Sequence, residues 1–207
     1  MVKRVSFLLL LCISLDFSIL NAQDLFCYPP GHFSFNLPSG WKIIPNKVVE
    51  EYAEELIKKS KTLSKPKYDL VFNRVNASRP FEYPYFVITN WKQKVNKAII
   101  EEWISSAQQI TKKAMTKQNL REFFPETLIR QPAYDDNKHI LTYSVEFKLK
   151  GFEGKDTYGT MIISLFFYKE GIISLNFYSY SKDISKNMPI INNIVQSFTF
   201  EEDYKYR

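Results

Sequence analysis

Apolar and polar residues alternate along Phe33, Ser34, Phe35, Asn36 and Leu37, the period of two that marks a half-buried strand. Pro38-Ser39-Gly40 then supplies a turn, with proline presetting an early φ and glycine accepting a later positive one. Trp41, Ile43 and Ile44 resume an extended run that Pro45 ends. Trp41, fixed behind this turn by Pro38 and Gly40, is expected to plug one end of the core against a helix. Asn46 stands as an N-cap before Val48, Val49, Tyr52, Ala53, Leu56 and Ile57 at helical spacing. Glu50, Glu51, Glu54 and Glu55 precede Lys58, Lys59 and Lys61, the order that the helix dipole favours.

Two runs rich in β-branched and aromatic residues, 68–75 and 85–91, read as strands joined through a loop. A second helix follows Asn96, its apolar stripe carried by Ile99, Ile100, Trp103, Ile104, Ala107, Ile110 and Ala114. The cleanest alternation is Leu141, Tyr143, Val145, Phe147 and Leu149 against Thr142, Ser144, Glu146 and Lys148. Residues 160–168, a Lys-Glu-Gly turn and residues 172–180 predict a hairpin, whose first strand is apolar on both sides and therefore central. A last helix is expected after Pro189, burying Ile190, Ile191, Ile194 and Val195. Hairpin-length connections among the later strands favour an antiparallel α+β domain over a parallel doubly wound sheet.

The start of the chain changes the picture of where this domain works. Lys3 and Arg4, an apolar run from Val5 to Ile13 and small or polar residues up to Ala22 have the layout of a secretory signal peptide, residues 1–22. A retained anchor would need about 20 apolar residues, and Asp16 interrupts the run. Leu10 and Leu11 before Cys12 are too bulky for a lipid-attachment site. Removal of the leader leaves 185 of the 207 residues, a single domain over 23–207 with a net charge of +5 in place of +6. Cys27 is then alone, so the exported domain is held by its core rather than by a disulfide, with Cys27 expected to be buried.

The F-S-F-N-L-P-S-G-W opening, the order of elements and the closing I-I-N-N-I-V-Q-S-F together resemble the PsbP-like fold, exported bacterial members included. The resemblance implies a single antiparallel sheet flanked by helices on both faces, an α/β/α sandwich. It also implies a protein that binds or assists assembly rather than one that catalyses. Phe33, Pro38, Gly40, Trp41 and Phe198 match as scaffold positions, and no functional residue carries over.

Candidate chemistry is sparse. The two histidines, His32 and His139, lie far apart in sequence, and Cys27 has no base beside it. Asp135-Asp136 and the pair Glu153 and Asp156 sit in turn-like stretches that explain their carboxylates. No glycine pattern suits a phosphate and no basic block suits nucleic acid, so neither a cofactor nor a nucleic-acid partner is expected. Aromatics are the surplus, at 16% of the chain. Phe81, Tyr83, Tyr85 and Phe86 crowd one hairpin, while Tyr178 and Tyr180 share a strand face with Ser174 and Asn176, which reads as a partly wet, outward-facing surface. Lys58, Lys59 and Lys61 would draw an acidic partner or an anionic membrane surface. These features suggest a non-enzymatic domain that binds another envelope or secreted protein. A carrier of a small apolar ligand is the alternative, and an enzyme comes third.

Overall fold

The computed structural model describes residues 24–59, 67–115, 127–149 and 157–206. The leader, Lys61, Glu153 and Asp156 lie outside the described residues. Strands β1 (Asp24–Tyr28) and β2 (Phe33–Leu37) open the chain, followed by β3 (Trp41–Ile43) and helix α1 (Asn46–Lys59). Next come β4 (Leu70–Arg74), β5 (Tyr85–Lys92) and α2 (Lys97–Met115). The chain continues through β6 (Thr127–Ile129), β7 (Ala133–Asp135), β8 (Ile140–Leu149), β9 (Thr157–Tyr168) and β10 (Gly171–Tyr180). Helix α3 (Ile184–Ser197) and β11 (Thr199–Phe200) complete it.

An eight-stranded antiparallel sheet runs in the order β3-β4-β5-β10-β9-β8-β6, with β7 also paired to β8. A second, three-stranded sheet has the order β1-β2-β11. The expectation of a single sheet flanked by helices on both faces is therefore corrected to two sheets. Strand alternation explains the layering. Phe72, Phe86, Phe166, Leu175 and Phe177 point to one face, where Ile191 and Ile194 of α3 meet Phe33 and Phe35 of the small sheet. Their sequence neighbours Leu165, Phe167 and Ile172 point to the other, beneath Ile100 and Ala107 of α2, while Val71 and Val87 lie beneath Val49 of α1. One face is thus covered by two helices and the other by a helix together with a short sheet.

The period-two and helical readings match most of these elements, but the first strand and the start of the last helix differ. β1 precedes the first expected strand and pairs Phe26 with Phe35 and Cys27 with Ser34. Because Phe26 and Tyr28 pack toward the core, Cys27 between them faces outward and is exposed, against the burial expected for it. Helix α3 begins at Ile184, ahead of Pro189, which lies inside it. Asn187 Nδ2 donates to Ser179 Oγ at 2.9 Å, and Ile184 and Met188 pack on the core, so tertiary contacts hold this first turn despite the proline. The β9–β10 hairpin turns at Gly171, where a Cβ would lie 2.3 Å from the Trp91 carbonyl oxygen of the neighbouring strand. Only glycine fits so close a backbone approach.

The turn at Pro38 to Gly40 has the expected chemistry. Gly40 adopts φ +77°, and Trp41 N–H donates to the Pro38 carbonyl at 3.2 Å. Trp41 is 5% exposed, with its ring centre 5.3 Å from that of Phe86 and 5.7 Å from that of Phe177. Phe33 and Phe198 stack at 4.8 Å in the same cluster.

Candidate functional site

Register brings the four singled-out tyrosines together. β10 pairs Tyr178 with Tyr85 of β5, so their side chains emerge on the same face and stack with ring centres 4.6 Å apart. Tyr83, just before β5, stacks on Tyr85 at 5.5 Å and meets Tyr180 edge-on at 4.8 Å. The result is a continuous row, Tyr178, Tyr85, Tyr83, Tyr180, across the end of two adjacent strands. Centroid separations of this size are those of favourable aromatic pairs, worth about 0.5–1.5 kcal/mol each beyond burial.

Phe81 wedges beneath the row. It lies 5.4 Å from Tyr85, 5.8 Å from Tyr68 and 6.0 Å from Tyr52 of α1. Its φ of +60° is unfavourable for a bulky side chain and is held by this packing. Its position was not legible in the sequence, because a left-handed phenylalanine leaves no local signature.

The tyrosines are not the wet, outward-facing set the sequence suggested. All four are half-buried. Tyr85 and Tyr178 pack on the cluster of Ile44, Val49, Val71 and Val87 under α1. Ser174, expected on the same wet face, is 1% exposed and donates from Oγ to Asn176 Oδ1 at 3.0 Å. The reason is the cover that α1 and α2 provide over this face, which an alternating strand pattern alone does not reveal. Burial first, and neighbouring phenols second, hold the Tyr85 and Tyr178 hydroxyls well above the usual tyrosine pKa. Tyr83 is raised by burial and then by Tyr180. Tyr83, Tyr85 and Tyr178 are therefore held as neutral phenols.

Beside Tyr83 opens a cavity of about 430 Å³, between the β4–β5 loop and the first turn of α3. Arg74, Glu82, Tyr83, Asp183, Lys186 and Asn187 contribute to its wall. Arg74 ends β4 with its guanidinium carbon 5.0 Å above the Trp41 ring. Glu82 accepts from Ser78 N–H at 2.7 Å and from Ser78 Oγ at 2.8 Å, which holds its carboxyl below the ordinary range. Tyr83-Pro84 is a cis peptide on the same rim.

The lysines are placed less fully. Lys58 lies exposed in the last turn of α1, Lys59 ends that helix, and Lys61 lies outside the described residues. The histidines remain apart, but each contacts the end of the chain. His32 stacks on Tyr204 at 3.5 Å with Nδ1 3.1 Å from Glu201 Oε2, and His139 shares a 3.0 Å hydrogen bond with Tyr134 and meets Tyr206 edge-on. Asp135 Oδ1 accepts from the backbone N–H of Asn137 and Lys138, so this carboxylate serves its turn. Among the described residues no group of three or more His, Cys, Asp or Glu side chains could hold a metal, and no helix is long and apolar enough to cross a membrane.

No family model and no curated protein sequence matches the chain. Similar solved structures include the cyanobacterial PsbP, CyanoP, of Synechocystis sp. PCC 6803, which is 10% identical at a TM-score of 0.47 over 87% of this chain and 94% of that one. The Ran-binding protein Mog1p of Saccharomyces cerevisiae is 12% identical at 0.47, over 86% and 95% respectively. LpqN of Mycobacterium tuberculosis, involved in cell envelope biogenesis, is 11% identical at 0.44, over 86% and 89%. At these identities and TM-scores no property of those proteins is carried to this chain, and its site is read from its own residues.

Proposed function

We propose that this chain is exported and acts as a non-catalytic protein-binding domain of the cell envelope, with Tyr83, Tyr85, Tyr178 and Tyr180 forming its partner face. The observation that carries the reading is the stacked row itself. Four half-buried phenols, three on adjacent strands and Tyr83 just before β5, are held by ring-to-ring contacts on a sheet, an arrangement that offers contact area at little further ordering cost. Export rests on the leader pattern of residues 1–22. Lys58, Lys59 and Lys61 are proposed to steer an acidic partner toward this end of the domain, by long-range attraction that sets encounter rate more than residence time. The carrier reading needs a cavity walled by Ile and Phe. The cavity beside the row is mostly walled by charged and amide groups, whereas a second cavity of about 370 Å³ has Ile140, Phe166, Phe167, Phe198 and Phe200 in its wall beside Lys138, His139 and Lys205, and this is where an apolar ligand would sit if the carrier reading held.

The experiment is site-specific photo-crosslinking in the native cell envelope. Benzoylphenylalanine at position 83 or 180 is expected to give one defined protein adduct. The same group at Tyr158, which is 50% exposed on β9, is expected to give none. Absence of an adduct at both tyrosines, or an identical adduct from position 158, would refute the assignment of this face.

A further inference from the structure

The wall of the cavity next to Tyr83 holds a cation, Arg74, that has no ion-pair partner among the described residues. Arg74 is half-buried, and burial pulls its pKa below the usual arginine value. Among the described residues its guanidinium stacks on Trp41 and forms no ion pair. Arg130, by contrast, reaches Glu146 at 2.6 Å in a far more exposed position. Only partly withdrawn from water, and with no guanidinium nitrogen buried and unpartnered, Arg74 keeps donors that can turn to an incoming acceptor. The cation–π contact with Trp41, 5.0 Å from the guanidinium carbon to the ring centre, holds the head group over the indole and so lowers the ordering cost of a further hydrogen bond.

The remaining wall narrows the ligand. Lys186, in the first turn of α3, adds a second cation, while Glu82 and Asp183 place two carboxylates on the same wall. Glu82 is turned to Ser78 by two hydrogen bonds, whereas Asp183 makes no side-chain capping bond to α3. The four formal charges cancel. Such a wall favours a singly charged planar anion on Arg74 and disfavours a dianion, which would meet both carboxylates. Asn187 is 4% exposed, with Nδ2 donating to Ser179, and it stiffens the α3 side of the cavity.

The geometry points to a carboxylate pocket: an Asp or Glu side chain of a partner segment that lies along the tyrosine row enters this cavity and pairs with Arg74, with Lys186 as the second cation. This inference rests on the partner face proposed above and names the chemistry that face selects. Tyr83 belongs to both the row and the cavity wall, so a chain crossing the row passes the mouth of the pocket.

The test is a titration of the isotope-labelled mature protein, followed by nuclear magnetic resonance at the Arg74 Nε and Trp41 Nε1 signals. The probes are end-blocked tri-glutamate, end-blocked tri-glutamine and acetate. Tri-glutamate is expected to shift both signals saturably and tri-glutamine to shift neither. Arg74→Gln should weaken binding about tenfold or more, Arg74→Lys should recover part of it, and Asp183→Asn should tighten it severalfold, a sign that a merely structural role for Arg74 would not produce. Retained signal dispersion in Arg74→Lys covers the case in which Arg74→Gln fails to fold. No saturable shift up to about 10 mM peptide, the range of very weak complexes, would overturn the pocket. Acetate binding as tightly as the peptide would overturn the partner segment in favour of a free acid. Cross-linked adducts at Tyr180 without peptide binding would leave the partner face standing and remove only the pocket; peptide binding without adducts would do the reverse.

Discussion

Replacing Trp41 with alanine is expected to destabilise the fold by about 3–5 kcal/mol, the range for a buried large aromatic. The indole is 5% exposed and packed between Phe86 and Phe177, with Arg74 across its face. Opposing this, Trp41 Nε1 is buried with no hydrogen-bond partner among the described residues. An orphaned donor costs about 1–3 kcal/mol, whereas burying the ring's roughly 150–250 Å² at about 25 cal/mol per Å² is worth around 4–6 kcal/mol. Packing wins, so the ring is retained as a plug despite its unpaired N–H. Trp41→Phe, which keeps most of the ring and removes the orphan, should stay within about 1 kcal/mol of the natural protein. Urea unfolding of the three proteins measures both changes. An alanine loss below about 1 kcal/mol, the scale of surface substitutions, would show that the indole serves a surface rather than the core.

The second large effect concerns the half of the tyrosine row that packs under α1, Tyr85 and Tyr178. Tyr85→Ala together with Tyr178→Ala should cost roughly 3–5 kcal/mol, because the change removes two half-buried rings and their mutual contact from the cluster under α1. Tyr85→Phe with Tyr178→Phe keeps the rings and should cost far less. The same chemical denaturation measures both. If the double alanine protein unfolds at the natural denaturant midpoint, α1 does not rest on these rings and the packing described for this face is wrong.

These two sites differ in how much of them the sequence reveals. Trp41 is legible because its constraint is local: Pro38, Gly40 and an alternating strand within nine residues fix where the ring must go. The long strand β8 and the β9–β10 hairpin are legible for the same reason, since strict alternation and a short turn leave few registers. The small sheet is not, because its three strands are five, five and two residues long and gain their definition from packing on α3 and the larger sheet. Tyr178 and Tyr180 show the limit within one element. Their alternation with Phe177 and Ser179 correctly assigns them a common face, but only the placement of α1 decides that this face is half covered. Arg74 was passed over because nothing in L-V-F-N-R distinguishes an arginine that ends a strand in solvent from one folded over an indole thirty-three positions earlier.

The central claim is that, within the four-tyrosine face, Tyr83 and Tyr180 carry most of the partner's affinity, while Tyr85 and Tyr178, packed under α1, chiefly hold the fold. Its most direct test is the affinity of the cross-linked partner, once isolated, for the natural protein and for Tyr83→Ala with Tyr180→Ala. Calorimetric titration should show affinity at least about tenfold weaker, as for the loss of a paired aromatic contact at the centre of an interface, with unfolding free energy reduced by no more than about 1–2 kcal/mol. Unchanged affinity in a folded double variant would contradict the account.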